Sequence, residues 1–348
     1  MLPARLLSLA RSMYANRTTR HSRSLSGIGA VALSLLMGIW PAAEVRAQSF
    51  PDRPIKIVVP WPAGGITDSA GRIMAQRLTE RFGTAVVVEN RAGAAGTIGA
   101  EAVARAQPDG YTLLLASAET HAIAPNLRAR LPYDPQKDFA AISPFAINPF
   151  ALVARPDFPA RDFQELIASI KAQPGKFTYS SAGLGSTSQI AMETLKGLAG
   201  IDILHVPFQG QAPAMTSLLG GQTDLQMLPA GSAQTMVSSG KIKVFAVTTH
   251  ARFFNLPDVP ALRELGYEAM NFANFFGLVA PAAVPAAVLQ RLEREVSAAA
   301  LAPDTQAALR KLGVDSYPAM SASEFQKFLD NERQRWGGVI RSLGLKPE

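Results

Sequence analysis

The apolar positions along the chain change their period at regular intervals, and those changes predict most of its elements. Ile55-Lys56-Ile57-Val58-Val59 is almost continuously branched and apolar, which predicts a buried strand. Pro60, Pro62, Gly64 and Gly65 then break it into a loop. From Ile66 the period becomes helical, with Ile66, Ala70, Ile73, Met74 and Leu78 on one face. The alternation recurs along the chain. Further strands are predicted at 85–88, 111–116, 177–180, 203–206, 224–228, 241–247 and 276–280. Phe163, Leu166, Ile167 and Ile170 make one helix face, and Thr187, Ile190, Ala191, Leu195 and Leu198 make another. Ser321 and Glu324 have the spacing of a capping box, with Phe325, Phe328, Leu329 and Trp336 on the buried side of a last helix.

This alternation predicts an α/β fold with mostly parallel sheets joined by right-handed crossovers. Residues 142–153 are apolar and interrupted by Pro144 and Pro149, and they read as a passage between two bodies. Residues 248–252 read as the passage back. The expected organisation is one lobe from 48–147 with 250–348, a second from 148–249, and a cleft between them. Ligands of open α/β sheets sit beyond the carboxyl ends of strands, so the loops there are the candidate site.

Composition narrows the possibilities. At 348 residues, 48% hydrophobic and 18% charged, the chain is globular in type, with room for about two domains. It has no cysteine, which excludes disulfides, thiolate metal sites and thiol nucleophiles. In residues 1–47 six arginines stand against Glu44, so that segment holds +5 of the net +7 and the remainder only +2. A nucleic-acid partner is therefore not expected. The segment instead reads as a signal peptide: a basic stretch to Ser26, an apolar stretch at 28–40, a break at Pro41, and Val45 and Ala47 at positions −3 and −1. Cleavage after Ala47 and Sec-dependent export to the periplasm are expected. An uncleaved anchor is the alternative, although 28–40 is short for a membrane span.

The candidate chemistry lies in two strand–loop–helix elements, at Gly64–Gly65 and Gly183–Gly185. The first N–H groups of a helix lack intrahelical partners, and the helix dipole is positive there. Each element can therefore be an anion site made of backbone. An exported enzyme is the weaker reading. His121, His205 and His250 form no H-E-x-x-H pair, and no G-x-S-x-G elbow occurs. Gly93, Gly96 and Gly99 have the wrong spacing for a dinucleotide loop, and no cofactor is expected; with no cysteine and no H-E-x-x-H pair, no metal is expected either. His205 reads as a hydrogen-bonded core residue. Glu119 reads as a solvated side chain, or as a partner for a ligand cation at the cleft mouth.

Several stretches together resemble one family. They are Val58-Val59-Pro60-Trp61-Pro62-Ala63-Gly64-Gly65 with Asp68, Val88-Glu89-Asn90-Arg91-Ala92-Gly93, Pro108-Asp109-Gly110-Tyr111, Tyr133-Asp134-Pro135, Ser181-Ala182-Gly183 with Gly185-Ser186, His205-Val206-Pro207-Phe208, and Phe276-Gly277-Leu278-Val279-Ala280-Pro281. In order and spacing they resemble the Bug family, the TctC-like periplasmic solute-binding proteins of tripartite tricarboxylate transporters, over residues 50–345. The resemblance implies a two-lobed Venus-flytrap protein of type II-like fold, expected as a monomer that docks on transporter membrane subunits. It implies a small carboxylate ligand held at both glycine-rich loops by backbone amides and ordered waters. The candidate contacts are Trp61, Ala63, Gly64, Gly65, Thr67 and Asp68 at the first loop. Ser117, Thr120 and His121 follow the third strand. Ser181, Gly183, Gly185, Ser186, Gln189, Phe208 and Leu228 come from the second half. Gln189 stands where a His is usual, and Leu228 where an acid is usual. Leu228 argues against a ligand ammonium at that spot, because a buried cation needs a partner. With Trp61 it favours an apolar or aromatic carboxylate over a di- or tricarboxylate, unless Leu228 merely packs. A sensor partner presenting ligand to a membrane kinase would use the same cleft.

Overall fold

The branched apolar run at Ile55 forms strand β1 (Ile55–Val59), with four of its five residues buried. It lies between β2 (Val86–Asn90) and β3 (Thr112–Ala116), parallel to both. The computed structural model describes residues 50–345, so the predicted signal peptide and its cleavage after Ala47 lie outside the described residues. Helix α1 (Ile66–Phe82) presses Ala70, Met74 and Leu78 into the core that holds Ile55, Ile57 and Val59. It ends at Gly83, whose left-handed φ of 67° closes the last turn. The short helices α2 (Thr97–Ala104) and α3 (Ala124–Leu127) follow β2 and β3.

Strand β4 (Phe139–Ala154) is 16 residues long and belongs to two sheets. It is buried at nearly every position, as its largely apolar sequence requires. Its final residues, from Phe150 on, pair antiparallel with β7 (Leu225–Pro229) and β8 (Lys243–Val247). Beyond β7 come β5 (Thr178–Ser181) and β6 (Leu204–Pro207), both parallel. Helices α4 (Phe163–Lys171), α5 (Thr187–Ala199), α6 (Gln211–Leu219) and α7 (Ala230–Ser238) complete this half. The earlier part of β4, Phe139 to Pro149, pairs antiparallel with β9 (Ala273–Pro281), which also pairs with β3. The register shifts on either side of Pro144, where the ladder loses a donor.

The sheets are therefore mixed rather than mostly parallel. Alternating strands and helices imply a parallel pair only where a helix crosses between neighbouring strands of one sheet. That holds for β1, β2 and β3 and for β5, β6 and β7. The strands β4 and β9 connect the halves instead, and they run against their neighbours.

The chain finishes with α8 (Ala286–Leu301), α9 (Pro303–Lys311), the two-residue β10 (Asp315–Ser316) against β4, and α10 (Ala322–Ser342). The capping box of α10 forms as spaced: Ser321 Oγ accepts from Glu324 N–H at 3.3 Å and Glu324 Oε2 accepts from Ser321 N–H at 2.8 Å. Phe325, Leu329 and Trp336 are buried on its inner face. Each contributes roughly 1.5–3 kcal/mol of burial. Among the described residues no helix is long and apolar enough to cross a membrane.

Candidate functional site

A cavity of about 390 Å³ lies beside β4 and takes its wall from elements of both sheets. Asn148 and Phe150, two residues apart on β4, face it together as strand alternation requires. Asn274 of β9 is the cross-strand partner of Asn148, and Pro229 of β7 that of Phe150; both also line the wall. Trp61, Met215, Leu228, Met236 and Leu312 make most of the remainder apolar, and Lys311 is the only cationic side chain on the wall among the described residues. The volume suits a small molecule.

The loop from Trp61 to Thr67 reaches the cavity as the start of α1. Its N-cap is Gly65, which has no side chain to cap the helix, and no acceptor among the described residues meets the N–H groups of Ile66 and Thr67. Gly65 has an ordinary φ of −84°, and a Cβ there would have only the Pro62 carbonyl within reach, at 4.0 Å. The positive φ belongs to Gly64, at 86°. Asp68 braces the loop from behind. Its Oδ2 accepts from Gly64 N–H and Arg72 Nε, both at 3.0 Å, and its Oδ1 accepts from Asn90 Nδ2 at 2.9 Å. Burial opposes the charged form of Asp68, but the bonds from Arg72, Gly64 and Asn90 outweigh it and hold the carboxyl below its usual value. Three more polar atoms on the wall's residues are buried without a partner: Trp61 Nε1 and Gln211 Nε2 as donors, and Asn148 Oδ1 as an acceptor.

The second glycine-rich loop is organised differently. Ala182 N–H donates to Ser188 Oγ at 3.2 Å, Gly183 N–H to Ser181 Oγ at 3.1 Å, and Gly185 N–H to Gln189 Oε1 at 2.7 Å. Ser186 caps α5 by accepting from Gln189 N–H at 3.3 Å. Thr187 donates to Glu119 Oε1 through its N–H at 3.3 Å and its hydroxyl at 2.6 Å. A Cβ on Gly185 would meet Leu127 at 3.6 Å and Ala95 at 4.0 Å, so this loop packs on residues of the first half.

Of the residues expected from sequence, Trp61, Ala63, Gly64, Gly65, Thr67, Ser186 and Leu228 stand on the wall. The others do not. Asp68 lies under the first loop. Gly183, Gly185 and Gln189 bond within the second loop. Phe208 is half-buried, and its carbonyl oxygen lies 3.0 Å from where a Cβ on Gly183 would stand. Ser181 pairs its hydroxyl with His205 Nε2 at 2.7 Å. Ser117 donates to Glu119 Oε2 at 2.7 Å. Thr120 bonds to His121 Nδ1 at 2.9 Å, and its carbonyl accepts from Tyr133 at 2.7 Å. His121 is buried with its ring 5.0 Å from that of Phe139. Burial, and then the charge of Arg333, push its pKa down to about 3, so the ring is neutral at neutral pH. Glu119, Thr120 and His121 lie in a single π-helical turn (Glu119–Ile123), in which successive side chains point to different sides. Glu119 takes the cavity side of the turn after β3, which turns Thr120 and His121 away from it. Glu119 is thus buried on the wall and not solvated.

The sequence reading passed over the start of α6 (Gly210 to Pro213) and the start of α7 (Gly231, Ser232), which also line the cavity. Both follow strand ends, as Gly64 follows β1. The asparagines at 148 and 274, alone in apolar strands, carried a second signal.

The family model described as tripartite tricarboxylate transporter family receptor (TctC) matches residues 70–345 of the chain. The protein BugT of Bordetella pertussis is 34% identical over 315 residues, covering 88% of this chain and 94% of BugT. The structure of the periplasmic binding protein BugD superposes with a TM-score of 0.81 at 34% identity, over 86% of this chain and 100% of that one. Rpa4515 of R. palustris, solved with adipate, superposes at 0.82 and 30% identity, over 86% of this chain and all 100% of its own.

Proposed function

Because this chain belongs to the tripartite tricarboxylate transporter receptor family, a family of periplasmic solute-binding proteins and not of enzymes, we propose that it captures a small carboxylate in the cavity beside β4 and hands it to the membrane subunits of such a transporter. It shares the two-lobed α/β fold of those binding proteins. The observation that carries the ligand class is the uncapped start of α1 on the cavity wall. A carboxylate there accepts from the amides of Ile66 and Thr67 at the positive end of a helix. Charge-assisted bonds of this kind contribute roughly 1.5–3 kcal/mol each. Trp61, Phe150, Met215 and Leu228 then enclose the body of the ligand.

The reading places the anion at the first loop alone. The second loop offers wall surface through Ala182, Ser186 and Ser188, while its amides have partners within the protein. Residues 1–47 serve as the export signal in this reading, and the mature chain begins at Gln48. Native mass spectrometry of the mature protein, followed by calorimetric titration with carboxylates, tests the proposal. Saturable binding without turnover is expected. Product formation, or indifference to every carboxylate tried, would count against it.

A further inference from the structure

Glu119 is a buried carboxylate inside a cavity read as an anion site, and its bonds show what it does there. It comes from the turn after β3, yet its Oε1 reaches the start of α5 and accepts from the hydroxyl and N–H of Thr187 at 2.6 and 3.3 Å. Its Oε2 accepts from Ser117 Oγ and Asn274 Nδ2, both at 2.7 Å. Asn274 has no freedom in this, because its Oδ1 accepts from Ala118 N–H at 2.9 Å and so leaves Nδ2 to face Glu119. Glu119 is only 4% exposed. A carboxylate has about four lone-pair positions, and here four donors fill them.

Two consequences follow from that count. Glu119 has no lone pair left for a ligand ammonium. The start of α5, which would otherwise receive an external anion, already holds an internal one. A ligand carboxylate placed beside it would meet a like charge at close range, on a wall where Glu119 itself is buried and such repulsion is stronger than in open water.

We infer that Glu119 is a specificity-determining residue: it fills the anion position at the start of α5, so the cavity takes a ligand with a single carboxylate and a neutral, largely apolar remainder. The inference rests on the carboxylate reading of the site, with that one carboxylate at the start of α1. The remainder meets Phe150, Met215, Leu228 and Met236, and the open acceptor of Asn148 suits one neutral donor on it.

Three six-carbon probes test it by calorimetry on the mature protein: hexanoate, adipate and 6-aminohexanoate. Hexanoate is expected to bind at least about tenfold more tightly than either of the others. In E119Q, which keeps the shape and removes the charge, the gap between hexanoate and adipate should narrow to about threefold or less. The comparison on the unaltered protein stands even where E119Q does not fold. Adipate binding as tightly as hexanoate overturns the inference, and so does an unchanged gap in folded E119Q. Tighter binding of 6-aminohexanoate overturns it by making Glu119 a ligand counter-ion. In those cases the carboxylate reading survives. Absence of binding by all three at millimolar concentration removes that reading, and the inference with it.

Discussion

Gly64–Gly65 and Gly183–Gly185 each lead from a parallel strand into a helix, but their helix starts are finished in opposite ways. At α1 the N-cap is a glycine with nothing to offer, and the first amides stay open on a cavity wall. At α5 the N-cap is Ser186, and Gln189 and Glu119 complete what the serine begins. The first loop is held from behind by Asp68, which leaves its front free. The second is held from the front by a residue of the other half of the chain. A helix N-terminus can therefore serve as an anion site only where the chain has not supplied its own anion; α1 is left open in this way and α5 is not.

The largest expected effect breaks the comparison at its open end. A Cβ at Gly65 meets no steric conflict and the φ there is ordinary, so Gly65→Val should keep the fold, with the melting temperature lowered only slightly by the poorer N-cap. The new side chain stands before the amides of α1, and calorimetry should find carboxylate affinity reduced at least about tenfold, or 1.4 kcal/mol. Gly185→Ala should do the reverse. Its φ of 76° strains any other residue, at a cost of roughly 1–2 kcal/mol seen as a lower melting temperature. Ligand affinity of the folded protein should change by less than about threefold. A large loss of affinity with unchanged stability would show that the second loop binds ligand after all.

Acid should separate the loops in a set order. His205, which bonds to Ser181 beneath the second loop, has its pKa lowered by burial and by Lys196, against the opposing pull of Glu193. An opened state protonates it first, so its support is complete above about pH 6.5 and declines as pH falls below that. Asp68 under the first loop is also depressed, so its support is complete above the usual carboxylate value near 3.9 and fails only below it. Between pH 7 and 5, hydrogen exchange should quicken at Gly185 and Gln189 while Gly64 stays protected. Simultaneous loss at both loops would contradict this account.

The smallest effect concerns side-chain charge. Lys311 is exposed at the cavity edge, and Lys311→Met should weaken binding by less than about fivefold, with the difference vanishing in high salt. A greater loss than in Gly65→Val would mean that a cation, and not backbone, holds the carboxylate.

The first loop was legible in sequence because everything that defines it is local: a branched strand, four breakers within six residues, and a change of period at Ile66. The second had the same local marks, and what sets it apart is remote. Glu119 lies 68 residues from Thr187 and 155 from Asn274, so nothing beside it in the chain distinguishes it from a solvated glutamate. His121 lies off the cavity wall for a related reason, since the face of a short turn is decided by what packs on it. Most strands followed from periodicity and the capping box of α10 from its spacing, whereas β4 reads in sequence only as a passage between two bodies because Pro144 and Pro149 interrupt it. The antiparallel course of β4 and β9 did not follow from periodicity either, because strand direction depends on which neighbour a strand joins.

Strand β4 also bears on how relatives of this protein can diverge. It is hydrogen-bonded in both sheets, and its side chains alternate between two buried faces. Loops around the cavity can lengthen or shorten without moving anything but themselves. One residue inserted near Pro149, unless taken up as a bulge, would exchange the faces of every side chain beyond it, withdrawing Phe150 from the cavity and breaking register with β7 and β8 together. The strand is thus a ruler of fixed length. Variation in what the family recognises should appear as substitutions along β4 and as insertions everywhere but within it.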